Sequence, residues 1–193
     1  MTDKAPSQLS EHPQSEVHAS AFKPAEHPVT ALALLRVPAW EPERLAAQLD
    51  LDWNIKAEPV PTDFREPWLF RVNGSLVVIG FEGHPVPGNA ADEQAKNCPD
   101  WPDVQEMAST HLAYLALAVV AEEATLVENA RTAMKILGSL TRQPNVSAIN
   151  SAGRLFEPER FRSDVLTMQH SETAFPIFNI CLLYTSPSPR DIS

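Results

Sequence analysis

Four residues between Gly83 and Leu112 carry side chains that could do chemistry: His84, Cys98, Asp100 and His111. Imidazole, thiolate and carboxylate are all zinc ligands, and a thiol next to a base can act as a nucleophile. The spacing supports neither reading directly. There is no C-x-x-C, H-x-x-x-H or H-E-x-x-H run, no G-x-S-x-G elbow and no glycine-rich phosphate loop. A structural role competes at each position. His111 is placed to hydrogen-bond a loop carbonyl at the entrance of a strand, and Cys98 is the kind of small, weakly polar side chain that packs inside. Trp101, with Pro87 and Pro102, either forms an aromatic-proline recognition surface or pins a long loop over the fold. The candidate binding residues are therefore His84, Pro87, Trp101 and His111, with no catalytic residue, metal ligand or cofactor assigned. The paired carboxylates Asp50/Asp52 and Glu122/Glu123 fall at element ends, where solvated charge is expected.

Those residues sit in a chain of 193 residues with a formal charge of −10. Arginine and lysine are scattered singly, which argues against a nucleic-acid partner, since phosphate backbones are held by clustered cations. The longest apolar run, Leu112 to Ala121, is far short of the roughly 20 residues of a membrane span, and Met1 to Ser20 has no apolar stretch of the signal-peptide kind. Residues 1–27 are polar, hold three histidines at irregular spacing and are expected to be a disordered tail. Residues 181–193 begin CLLYTSPSPRD, which resembles a translated transposon sequencing adapter, so they are expected to lie outside the natural protein. The expected domain is 28–180, single and truncated at its C-terminus. Cys98 is its lone cysteine, which fits a reducing cytoplasm.

The elements that must position the candidate residues follow from periodicity. Thr30 to Val37, between two prolines, predicts a buried strand. Pro42 opens a short helix with Leu45, Ala46 and Leu49 on one face. Asn73-Gly74 between PWLFRV and SLVVIGF is a strong hairpin signal, with Phe70 opposite Val77, Trp68 opposite Ile79 and Leu69 opposite Val78. Gly83 to Pro99 predicts a loop with one helical turn near Ala91 to Lys96, and Asp103 to Thr110 a short helix with Val104 and Met107 inward. Leu112 to Ala121 reads as an internal strand, because large and small residues alternate along it. Thr125 and Glu128 spell a capping box, opening a helix to Leu140 with Leu126, Ala130, Ala133, Leu137 and Leu140 on its stripe, supported by Val127 and Met134. A strand from Val146, a helix from Pro158 with Phe161, Val165 and Met168 on one side, and a strand at Phe175 to Phe178 complete the pattern. The expected fold class is α+β: a ferredoxin-like βαββαβ sandwich extended by a further α-β-α, with a mixed sheet and helices mainly on one face. The strand at Val146 would then run parallel to that at Leu112.

Pro85-x-Pro87, Ala90-Ala-Asp-Glu93, Asn97, Trp101-Pro102-Asp103, His111-x-Ala113, Phe156-Glu157-Pro158 and Phe175-Pro-Ile-Phe-Asn179 together resemble the bacterial family called domain of unknown function 4261. The resemblance covers roughly Thr30 to Ile180. It departs from the family pattern at Tyr114, where a second histidine is expected, and in the turn from Val146 to Gly153. It implies a cytoplasmic bacterial protein and supplies no catalytic residues. The resulting functional expectation is a non-catalytic module that binds another bacterial protein, in an accessory or toxin-immunity setting. The alternative is a hydrolase or metal-dependent enzyme with its site under the 83–101 loop, using His84 and His111.

Overall fold

A computed structural model describes residues 28–61, 67–121 and 124–170, with side chains omitted at 121 and 168–170. The expectations for the 1–27 tail, for Glu122 and Glu123, for the Met168 side chain, for a strand at Phe175 to Phe178 and for the 181–193 tail lie outside the described residues. In chain order the elements are β1 (Val29–Leu35), α1 (Pro42–Trp53), β2 (Glu58–Pro59), β3 (Trp68–Val72), β4 (Ser75–Glu82), α2 (Ala90–Ala95), α3 (Val104–Thr110), β5 (Ala113–Ala121), α4 (Leu126–Leu140), β6 (Val146–Ser151), β7 (Arg154–Phe156) and α5 (Pro158–His170).

Local chemistry sets most of the boundaries. Pro42 occupies the start of α1, and Asn54 ends it in the left-handed region at φ 53°, its N–H donating to the Asp50 carbonyl at 2.9 Å. Asn73 and Gly74 both have positive φ, 47° and 76°, the conformation a two-residue type I′ hairpin requires. The register it sets is the one expected: Phe70 pairs with Val77, Trp68 with Ile79 and Leu69 with Val78. At the start of α4 the Glu128 N–H donates to the Thr125 hydroxyl, while the Thr125 N–H donates to the Glu128 carboxylate at 2.7 Å. Those bonds hold the Glu128 carboxyl below its ordinary pKa.

The chain is α+β, as expected, but the sheet departs from the prediction. It has seven strands in the order β2-β3-β4-β5-β1-β6-β7, larger than a ferredoxin-like sandwich. Every neighbouring pair is antiparallel, so the sheet is not mixed. The crossover from β5 through α4 does bring β6 back in the same direction as β5. However, β1 lies between the two and pairs antiparallel with both. β5 is internal, between β4 and β1.

One face of the sheet is sealed. Phe70, Val77, Ile79, Leu115, Leu117, Val119 and alternate residues of β1 pack against Leu45 and Leu49 of α1, Ala133 and Leu137 of α4, and Phe161 and Val165 of α5. Each large side chain buried there stabilises the fold by about 1.5–3 kcal/mol relative to exposure. The apolar stripe of α4 begins one turn later than expected, since Leu126 and Val127 are exposed. Among the described residues the opposite face carries only the short helices α2 and α3, packed on Leu34, Ala148 and Leu155 at the β1-β6-β7 end. Helices are thus on both faces, three long ones on one side and two short ones on the other.

Candidate functional site

The 83–112 stretch is built around a backbone-linking histidine. The Val86 N–H donates to His111 Nε2 at 2.9 Å, and His111 Nδ1 donates to the Ala108 carbonyl. With one ring nitrogen accepting and the other donating, the buried imidazole ties the loop after β4 to the C-terminus of α3. It therefore has no nitrogen left over for a metal or a substrate. Cys98 is buried too, with its Sγ 3.4 Å from the carbonyl oxygens of both Gln94 and Leu155. Asp100 is exposed. Among the described residues no three His, Cys, Asp or Glu side chains converge as a metal site would need.

His84 and Pro87 lie exposed on this loop, and His84 is apart from His111 in role. Its Nδ1 contacts the Pro85 carbonyl at 2.9 Å, its Nε2 is 3.3 Å from Glu82, and its ring meets Tyr114 edge-on with centroids 5.8 Å apart. Trp101 is half-buried and leans on the α2-α3 cluster. Its outer side lines a cleft of about 360 Å³ with Arg36, Met107, Arg142, Pro144 and Glu157. The Arg36 guanidinium in that cleft is 3.0 Å from the Met107 sulfur, so Met107 points here and not into the core. The four residues singled out from the sequence thus divide into a backbone clamp (His111), an exposed loop pair (His84 and Pro87) and a cleft wall (Trp101).

Periodicity alone did not reveal a second feature: Asp52 is not a solvated end-of-helix carboxylate. Its side chain is only 8% exposed and accepts from the Ser139 hydroxyl at 3.2 Å, with Arg162 at 3.4 Å and Arg142 at 3.7 Å. Ser139 in turn accepts from the Trp53 indole at 3.0 Å. This network locks α1 to α4 and α5 and belongs to the sealed face.

The open face is the feature with most capacity to bind. Between the hairpin edge and the α2-α3 block, Leu69 of β3, Leu76 and Val78 of β4, Ala116, Ala118 and Val120 of β5 and Leu32 of β1 point away from the main core, and all are half-exposed. The register makes them contiguous: Leu69, Val78 and Ala118 form one row, and Gly80, Ala116 and Leu32 the next. A Cβ placed on Gly80 would meet nothing within 4 Å, so among the described residues none is seated over that position. Glu82 and Tyr114 close one end of the face. Burial and the adjacent Glu82 carboxylate both push the Tyr114 phenol above its ordinary pKa, burial the more strongly.

Comparison with protein-family models, curated proteins and solved structures found no match for this chain. Among the described residues no helix is long and apolar enough to cross a membrane.

Proposed function

We propose that this chain is a non-catalytic module that binds another protein through the open face of its sheet. The observation that carries the reading is the contiguous patch of Leu32, Leu69, Leu76, Val78, Ala116, Ala118 and Val120 around the uncovered Gly80. A continuous apolar surface of this kind, spread over four adjacent strands, is a recognition surface more readily than an accident of packing. The engagement of both His111 ring nitrogens by backbone supports the same reading against a hydrolytic or metal-dependent site under the 83–101 loop. A cytoplasmic, bacterial setting of the accessory or toxin-immunity type, and membership of domain of unknown function 4261, are part of the proposal and rest on the resemblance of the motifs from Pro85 to Asn179. Kinship with the ferredoxin-like sandwich is also part of the proposal and rests on the β-α-β-β-α-β order of the elements expected from Thr30 to Ala121.

Ala118→Glu tests the proposal, because residue 118 sits mid-patch between Val78 and Thr30 and leaves the sealed core untouched. Affinity capture with the 193-residue chain is expected to retain a partner that the folded Ala118→Glu protein loses. Equal capture by both proteins, or none by either, contradicts the proposal.

A further inference from the structure

The loop from Gly83 to Asn89 joins β4 to α2 and is exposed at every residue except Val86, whose side chain packs beside the α2-α3 cluster. Its backbone has little to hold it. Pro85 and Pro87 have no N–H to donate, and Gly88 takes the left-handed conformation at φ 68°. Among the described residues, one hydrogen bond ties the backbone of Gly83 to Gly88 to anything outside the loop: the Val86 N–H to His111 Nε2 at 2.9 Å.

The ring that accepts that bond is fixed in one protonation state. An amide N–H can only donate and the Ala108 carbonyl can only accept, so Nδ1 carries the proton and Nε2 presents its lone pair. A second proton, on Nε2, removes the acceptor and sets two N–H groups against each other, while the bond to Ala108 survives. Charging the ring therefore breaks the loop's side of the clamp and spares the α3 side. It also places a cation on a residue that is only 6% exposed, and opening the loop lets water reach it.

Four elements meet at this ring: the loop, α3, β5 and the end of β1, where the Leu112 N–H donates to the Leu35 carbonyl. Their charged and titratable groups are Glu82 and His84 at the root of the loop, Asp103 and Glu106 of α3, Tyr114 of β5, and Arg36 beyond β1. Both ring nitrogens are bonded to backbone, so none of these groups takes over the lost bond. A charged His84 would strengthen its contact with Glu82, 3.3 Å away, and so would act against opening. We infer that His111 is an acid-released latch, which holds the 83–88 loop shut while its ring is neutral and frees it, with Val86, when the ring is charged. The latch does not depend on the binding role proposed above.

Hydrogen exchange at the Val86 amide of the 193-residue protein, corrected for the intrinsic rate, tests the latch. Protection is expected to fall as pH is lowered from about 8 to about 5.5, by up to about tenfold per unit once below the range near 6.5 where a free imidazole takes up its proton. Amides of β5 are expected to keep their protection throughout. His111→Gln should leave Val86 weakly protected at every pH, with no slope, and His84→Gln should keep the wild-type slope. Constant protection of Val86 in the wild type overturns the latch, and so does a slope that survives His111→Gln or vanishes in His84→Gln. Parallel loss of protection in β5 would mean general acid unfolding and also refutes it. Should His111→Gln fail to fold, the 15N spectrum of the wild-type ring decides: a proton on Nδ1 at about pH 8 is expected, and one on Nε2 contradicts the latch.

Discussion

Tyr114 closes one end of the open face, paired with Glu82 and with its ring edge-on to that of His84, and its ionisation reports on that corner. Its folded pKa lies above 10.0, so the neutral phenol is favoured by folding. The stability this contributes is complete below the unfolded value and is lost as pH rises through the folded one. In a Tyr184→Phe background, phenolate absorbance is expected to rise at higher pH in the native protein than in the denatured one. Glu82→Gln should bring the midpoint down only part of the way, because burial is the larger cause. A full return to the denatured midpoint would show that the carboxylate, and not desolvation, governs this corner. Legibility at this scale was uneven. A carbonyl partner for His111 follows from its place at a strand entrance, and Ala108 supplies one. The second bond, from Val86, joins residues 25 apart and carries no local signature. Asp52 was misread for the same reason, since Ser139 and Arg162 lie 87 and 110 residues away.

Elements coded by short-range chemistry were the readable ones. Asn73-Gly74 dictates its hairpin, Thr125 and Glu128 dictate the start of α4, and the β5 composition demands neighbours on both sides. The two strands that enlarge the sheet have no such code. β2 is two residues long and includes a proline, and β7 is three residues long and follows a turn in which Ala152 takes the left-handed conformation at φ 52°. Neither length supports a period. Gly138 of α4 faces α5 closely: a Cβ there would lie 3.1 Å from Val165 Cγ1. Replacing glycine by alanine in a helix interior gains about 1 kcal/mol of helix propensity. Buried Val165 is expected to cancel that gain, leaving Gly138→Ala neutral or destabilising. In a Val165→Ala background the same change should stabilise by about 0.5–1 kcal/mol, measured by urea denaturation as a double-mutant cycle. Additive effects would mean that α4 and α5 do not meet there.

For the molecule as a whole, the asymmetry between the two sheet faces decides what the fold can do. Three long helices seal one face with the large residues of β4 and β5. Among the described residues, two short helices cover part of the other and leave the apolar residues of β3, β4, β5 and Leu32 half-buried beside them. Alternation along β5 made a helix-covered sheet legible, but it could not show that only the Leu115, Leu117 and Val119 side is fully roofed. That depends on where α2 and α3 dock, and docking is set by Leu34, Ala148 and Leu155 on three different strands. Methyl relaxation by a soluble gadolinium chelate distinguishes the two faces directly, because neighbouring valines in β4 and β5 point to opposite sides. The account predicts strong relaxation at Val78 and Val120 and protection at Val77 and Val119. Equal protection at all four would mean that both faces are covered, which contradicts the open face and the binding role drawn from it.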